Sequence, residues 1–415
     1  MKILNFGSCN IDYVYSLDHI VEEGETETSH SLELFPGGKG LNQSIAISKA
    51  GANVYHAGCV GNDSAMLTDI LSKNKVDISL IRKTDAKNGH AIIQLSKSGN
   101  NSIFLYPGTN EMIDKEYIDS VLENFETGDI ILLQNEISNI DYIIKKASEK
   151  NMCIILNPSP FNEKLEKIDF NNLSYIILNE IEARAFSDLE SIEDFFRYCL
   201  NKYPRLKIML TLGSKGCIYK DSDNEIYHPA FKVEAVDTTA AGDTFTGYFV
   251  AGVSRGEDYN TILKTATIAS AISVTRKGAA TSIPCLMEVI QSKDVLTKNN
   301  YDSKIDLLTK QIDVYIDNNI CSITLENLAE FLGYSTVYTG NLVKKLTGKS
   351  FSRLIQSKRC KMAAKQLLNS NLSIKEIINN VGYENESFFR KIFKEKYGQT
   401  PFSYRRNGGI KNDTE

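Results

Sequence analysis

The chain has no tryptophan, only five histidines and only eight prolines in 415 residues. Its eight cysteines, at positions 9, 59, 153, 199, 217, 285, 321 and 360, are scattered, and none forms a Cys-x-x-Cys pair. That distribution suits reduced thiols and argues against a disulfide framework or a zinc site. The histidines are dispersed too, so no metal cluster is suggested. No apolar run reaches the roughly 18 residues of a membrane span. The segment Met1 to Gly7 goes straight into a strand-like run and lacks a signal-peptide layout. The expectation is a cytoplasmic chain of two or three domains with no membrane partner.

Charge is unevenly distributed. Residues 305–415 hold 17 Lys+Arg against 11 Asp+Glu, a net of +6. Residues 1–304 hold 30 against 41, a net of −11. An acidic body with a basic C-terminal quarter suggests two tasks, one of them involving nucleic acid. Local solubility is the plainer alternative.

Through the first 290 residues, apolar strands alternate with amphipathic helices, which predicts a mostly parallel α/β sheet covered on both faces. Strands are expected at Ile3–Gly7, Val54–Val60, Ile130–Gln134, Cys153–Asn157, Tyr175–Leu178 and Ile208–Thr211. Early alternating segments, including a hairpin pairing His90–Leu95 with Ser102–Tyr106, do not fit that scheme and predict a small β lid. Polar residues stand at strand ends, where ligands of open α/β sheets bind. Asn10 and Asp12, spaced by two, face one side and suit either sugar hydroxyls or an Asx turn. Gly37-Gly38-Lys39-Gly40 allows close backbone approach to a polyol, or is a plain turn. Glu136 is a surface carboxylate or a substrate acceptor. Asn179 and Glu182 suit a hydrated Mg²⁺ or a helix cap. Thr211 to Gly216 wraps phosphates or turns a hairpin. Asp237 to Gly247 reads as a polar turn leading into a buried helix whose amides face an anion. Within it, Asp243 is a helix cap or a general base.

These features occur together and in one order, and together they resemble the ribokinase-like (PfkB) carbohydrate kinases over roughly residues 1–290. The most specific stretches are Gly37-Gly38-Lys39-Gly40-Leu41-Asn42-Gln43 and Asp237-Thr238-Thr239-Ala240-Ala241-Gly242-Asp243-Thr244-Phe245. The resemblance implies that Asn10, Asp12, Gly38, Lys39, Asn42, Glu136 and Asp237 hold a furanose sugar or nucleoside. It implies ATP contacts from Asn179, Thr211, Gly213, Ser214 and Gly216, and Mg²⁺ held through water by Glu182. The amides of Ala240, Ala241, Gly242 and Asp243 would form an anion hole, with Asp243 as base. A K⁺ site would draw on Asp237, Thr239, Ser273, Arg276, Gly278 and Ser282. The lid implies a homodimer clasp. One departure is Met66, which stands where the family's Gly-x-Asp-x-x-Gly turn has its last glycine.

Residues 291–304 are polar and read as a linker. From 305 to 407 helical periodicity returns, with two short helix pairs, Leu325–Leu346 and Ile374–Lys396, broken by glycine turns. Periodicity alone leaves a helical protein-interaction module as the rival of two helix-turn-helix units. The stretches Leu328 to Ser335, Ile374-Lys375-Glu376-Ile377, Val381-Gly382-Tyr383, Phe389 to Lys394 and Gly398-Gln399-Thr400-Pro401 resemble the AraC-type DNA-binding domain. That resemblance implies recognition helices beginning near Thr336 and Asn385. Thr336, Val337 and Asn341 in the first, and Glu386, Ser387, Arg390 and Lys391 in the second, would face the major groove of double-stranded DNA. Gly340 is a departure, because the family usually has a larger residue there. Residues 408–415 remain as a tail.

Overall fold

The computed structural model describes residues 1–408, with 294–295, 297–308 and 310 described by backbone alone. The chain divides into two compact units between Lys298 and Asn299. Of the expected tail, only Gly408 lies among the described residues.

The first unit is built on thirteen strands. They are β1 (Ile3–Phe6), β2 (Asn10–Leu17), β3 (Ser31–Gly37), β4 (Val54–Val60), β5 (Ile81–Lys83), β6 (Gly89–Ser96), β7 (Asn101–Tyr106), β8 (Ile130–Gln134), β9 (Cys153–Asn157), β10 (Tyr175–Asn179), β11 (Lys207–Thr211), β12 (Gly216–Lys220) and β13 (Glu225–Pro229). Nine form one sheet in the order β13-β12-β11-β10-β9-β8-β1-β4-β5. Pairing is parallel from β5 through β11 and antiparallel for β12 and β13. Strands β8 and β9 are buried almost throughout, as expected when helices cover both faces. Two apolar clusters lie on opposite faces: Ile3, Ile130 and Ile155 point into one, and Leu4, Ile131 and Ile154 into the other. This is the period-two alternation of strand side chains. The expected lid is a separate four-stranded sheet, β3-β2-β6-β7.

Register sets a row of polar residues at the C-terminal ends of the parallel strands. Gln134 pairs with Asn157 across β8 and β9, and Asn179 with Thr211 across β10 and β11. Above this row two helices meet, Lys39–Lys49 and Ala241–Ser254. They touch at Gly247, where a Cβ would lie 2.3 Å from the Ala46 Cβ and 2.8 Å from the Ile47 nitrogen. One turn back on both helices, Asp243 meets Asn42 and Gln43. The missing side chain of Gly247 therefore sets the spacing that brings Asp243 to its partners. Gly247→Val is expected to overpack this seam at a cost of about 1–3 kcal/mol. It should lower the Tm in thermal unfolding; an unchanged Tm would contradict the packing described.

The polar stretch 291–304, expected as a linker, holds the division between the two units and is helical, within one helix Leu286–Asn318. The stretch has no glycine or proline, so nothing in it breaks the helix that enters from Leu286. The second unit contains helices Leu325–Leu332, Thr336–Thr347, Phe351–Asn369, Ile374–Asn380, Glu386–Tyr397 and Pro401–Arg406. Ser335 and Asn385 cap the two helices expected to read DNA, each accepting a backbone N–H from the residue three along. The first of these helices runs unbroken through Gly340. Two apolar clusters, one around Ile316 and Val343 and one around Phe389 and Phe393, form separate cores. Arg359, on the long helix between them, donates to the carbonyls of Ile320 (2.9 Å), Cys321 (2.9 Å) and Gly382 (2.8 Å). It thereby ties both helix pairs to one strut.

Candidate functional site

A cleft of about 260 Å³ opens at the strand ends, lined by Lys39, Asn157, Asn179, Glu182, Thr211, Thr238, Asp243 and Thr246 among others. Ala240, Ala241 and Gly242 also line it, at the start of the helix Ala241–Ser254. Ala240 adopts a left-handed conformation, φ 59°, which turns the chain sharply into that helix. First-turn amides of a helix lack intrahelical acceptors and present a positive dipole end. Here the Ala241 amide is already engaged by the Thr238 carbonyl at 3.3 Å. It is therefore partly withdrawn from the expected anion hole.

Asp243 is buried, at 8 % exposure. Its Oδ2 accepts from Asn42 Nδ2 (3.1 Å) and its Oδ1 from Gln43 Nε2 (2.9 Å). Asn42 was expected on the sugar side, and here it holds the carboxylate that would act on that sugar. Lys39 sits in the first turn of the helix Lys39–Lys49, which follows Gly38 at φ 94°. That positive φ is open to glycine at little cost. Burial works against the Lys39 ammonium, but the charges of Asp243, Glu136 and Glu182 outweigh it and hold its pKa above the ordinary lysine value. Glu136 accepts from the Lys39 amide (3.1 Å) and from the Ser8 hydroxyl. Its burial pushes the carboxyl up, opposed by Lys39 and these hydrogen bonds. Asn10 and Asp12 lie within β2, on one face of the lid. Asn10 Oδ1 accepts from Asn110 Nδ2 at 2.8 Å. Asp12 is pushed up to about 7, first by burial and then by the charge of Glu136. The structure thus gathers Lys39, Asn42 and Glu136 about Asp243, with Asp12 facing Glu136 and Gly38 against Asn10; of these six expected sugar residues only Lys39 lines the cleft itself.

Asp237 is placed differently. It is not among the cleft-lining residues, and its carboxylate accepts the amides of Thr239 (2.9 Å) and Gly278 (2.9 Å). Partial burial opposes its ionisation, but the hydrogen bonds from Thr239 and Gly278 and the charge of Lys277 hold its pKa below the usual range. It belongs with the loop of the expected K⁺ site. There the Ser273 and Ser282 hydroxyls donate to the Ser270 and Ala279 carbonyls, and Arg276 pairs with Glu288 at 2.8 Å. The carboxylate, hydroxyl and carbonyl oxygens of this loop are all hard donors. Asn179 and Glu182 form a reciprocal capping box, at 2.9 Å and 3.0 Å, on the helix Glu180–Ser187. They are thus a cap that also lines the cleft. Glu182 spends Oε2 on that cap, which leaves Oε1 for a hydrated cation. Thr211 reaches the cleft, whereas Gly213 and Ser214, on the turn after β11, and Gly216, the first residue of β12, are not among its lining residues. Sequence reasoning missed Ser8, Asn110, Asn157 and Thr246. Each is a lone small polar residue without motif spacing, although Asn157 shares the strand-end position that marked Asn179. Met66 lies in the first turn of the helix Ala65–Lys73 with its side chain exposed.

Residues 1–286 match the pfkB family of carbohydrate kinases. The chain belongs to that family. The kinase domain is 35% identical over 294 residues to the ribokinase of Bacillus subtilis, an alignment covering 69% of this chain and 98% of that protein. Among solved structures, the ribokinase of Cryptococcus neoformans in complex with ADP superposes with a TM-score of 0.61 at 32% identity, covering 70% of this chain and 99% of that one. The Arabidopsis thaliana ribokinase complexed with ribose and ATP gives 0.63 at 25% identity, covering 70% and 98%. Residues 328–407 match a helix-turn-helix domain, of the AraC type. The family kinase and the DNA-binding domain therefore share one chain.

On the second unit, Val337, Asn341, Ser387, Arg390 and Lys391 are exposed, and Thr336 and Glu386 are half-buried at the helix starts. Arg390 pairs with Glu386 at 3.4 Å. All eight cysteines are free. Among the described residues no helix is long and apolar enough to cross a membrane, and no group of three or more His, Cys, Asp and Glu is placed to hold a metal ion.

Proposed function

We propose that this chain is a sugar-responsive transcription regulator whose kinase domain transfers phosphate from ATP to a pentose or nucleoside hydroxyl. The observation that carries the reading is Asp243: buried at a helix start, with both oxygens held by neutral amides, on the cleft beside Lys39. In this reading Asp243 takes the proton of the sugar's primary hydroxyl, whose oxygen attacks the γ-phosphorus as the bond to ADP breaks. Lys39 and the free first-turn amides of the helix Ala241–Ser254 offset the charge that develops on the transferred group. Glu182 would hold Mg²⁺ through water, and the loop of Asp237, Thr239 and Gly278 would hold K⁺; bound there, these ions neutralise phosphate charge. Ribose is the first substrate to test, because the Arabidopsis relative was solved with it. The lid's exposed Phe104 and Leu105 fit a homodimer clasp. A cytoplasmic location fits the eight free thiols.

The test is ATP consumption by the full chain against a panel of pentoses and nucleosides. Turnover on at least one sugar is expected. No turnover on any, with a sugar still altering DNA binding, would replace catalysis by a pure sensor. That second reading is favoured by the fused helix-turn-helix domain itself. DNA binding that is absent or indifferent to salt would instead leave a metabolic kinase with a helical interaction tail.

Asp12 gives this reading a pH signature. An ionised carboxylate is the better acceptor for sugar hydroxyls. The sugar KM is therefore expected to rise as pH falls below about 7, the value to which Asp12 is raised. Asp12→Asn should flatten that limb in KM-pH profiles. Between the ordinary value of 3.8 and about 7, the folded chain holds a proton at Asp12 that the unfolded chain has lost. The site's contribution to stability accordingly falls as pH rises through that window.

A further inference from the structure

We propose that Gln43 is a positioning residue for the Asp243 base, itself held by a buried line of side chains running through Gln134, Asn5 and Ser44 to His56. This rests on Asp243 being the base, as read above. Gln43 has 0% exposure and uses its whole carboxamide. Its nitrogen donates to Asp243 Oδ1 (2.9 Å) and to Asn157 Oδ1 (3.0 Å), and its oxygen accepts from Gln134 Nε2 (2.7 Å). The amide cannot be reversed, because its oxygen would then face a carboxylate. Gln134 Nε2 also donates to Asn5 Oδ1 (2.9 Å), and Asn5 Nδ2 donates to Ser44 Oγ (2.8 Å) and the Gly40 carbonyl (2.7 Å). Ser44 Oγ bonds His56 Nδ1 at 2.8 Å, and His56 Nε2 lies 3.2 Å from Cys9 Sγ. Burial lowers His56 to about 4, so the line ends on a neutral ring.

This arrangement is more than space filling. The same helix buries Leu41 and Ile45 as apolar side chains, whereas Gln43 is buried against Asp243, Asn157 and Gln134. A buried carboxamide is favourable only if it is bonded. What Gln43 adds is a donor on one Asp243 oxygen, matching the Asn42 donor on the other. Two donors on fixed elements stop the carboxylate from rotating and leave lone pairs on both oxygens for the incoming proton. The charged groups that face Asp243 are Lys39 and Glu136, with Glu182 facing Lys39. From the helix Tyr259–Ser273, the neutral Ser270 bonds the Ala241 carbonyl. The bonded neighbours of the Asp243 carboxylate are both neutral, so Gln43 orients the base without adding charge.

The test compares the full chain with its Gln43→Leu and Gln43→Glu variants, using D-ribose and ATP as probes. Two quantities are read: kcat and KM across pH, and the titration midpoint of the Asp243 carboxyl carbon in ¹³C-aspartate-labelled protein, assigned with Asp243→Asn. Gln43→Leu is expected to lower kcat by about tenfold or more while the ribose KM stays within about threefold. The acid limb of kcat should move to higher pH together with the carboxyl signal, because a donor to the charged form is lost. Gln43→Glu, close to isosteric, should raise the midpoint and the acid limb of kcat further, since two adjacent acids then share one proton. If circular dichroism shows that Gln43→Leu does not fold, Gln43→Glu decides on the same criteria. A midpoint unmoved in the folded variant, whatever happens to kcat, overturns the proposal and reduces Gln43 to packing. Absence of wild-type turnover would sink the kinase reading on its own, and the carboxyl midpoint would still decide whether Gln43 governs Asp243.

Discussion

Asp243→Asn is expected to lower kcat by roughly 10²- to 10⁴-fold, the range for a positioned general base. The substitution keeps the shape of the side chain but removes its ability to take a proton. The sugar and ATP KM values should change little, because the groups assigned to hold them stay in place. The new amide offers one acceptor where the carboxylate offered two, so either Asn42 or Gln43 loses its partner. The expected stability cost is that of one buried donor left unpaired, about 1–3 kcal/mol. Steady-state kinetics beside thermal unfolding separates the two effects. A variant that retains wild-type kcat would remove Asp243 from the chemistry and leave it as a helix-start carboxylate.

Arg390→Ala is expected to weaken binding to a selected operator by about 1–3 kcal/mol, a factor of roughly 5 to 150. The Arg390 guanidinium is exposed, and its partner Glu386 lies 3.4 Å away on the same helix. An exposed pair of this kind contributes about 0–1 kcal/mol, so it is cheaply exchanged for a guanine edge. Affinity for random duplex should fall less, because phosphate contacts carry that binding. Replacing Lys394 should instead weaken all duplexes alike and reduce the salt slope by about one. Gel-shift or anisotropy titrations on both duplexes at two salt concentrations would read this. Equal losses on operator and random duplex would place Arg390 on the backbone rather than on a base.

Much of this was legible from spacing. The strands from Ile130 to Thr211 stand out as short apolar runs between turns, and both helices expected to face DNA begin at capping residues, Ser335 and Asn385. Asp243 stood out as a carboxylate where an anion site is otherwise built. Other features were not legible because they depend on contacts distant in sequence. Gln43 meets Gln134 and Asn157 only once the strand ends are in register. Asp237 reads as a member of both the sugar set and the K⁺ set, and only the fold ties its carboxylate to the amides of Thr239 and Gly278. The segment 291–304 reads as a linker by polarity, and the two units do divide within it, but with no glycine or proline to break it the segment lies inside the helix Leu286–Asn318. Asn179 and Glu182 illustrate a different point, since the cap and the cleft readings, opposed in the sequence, coexist in one pair of side chains.

In the proposed regulator the sugar site and the DNA-binding domain act on one another. The most direct measurement is operator affinity of the full-length Asp243→Asn variant with and without saturating D-ribose, with ATP present. That variant is expected to hold the sugar without consuming it. The account predicts at least a fivefold shift in operator Kd, about 1 kcal/mol of coupling, and an equal shift in ribose affinity on adding operator. Ribose that binds while leaving operator affinity unchanged would contradict it, and the two domains would then share a chain without sharing a function.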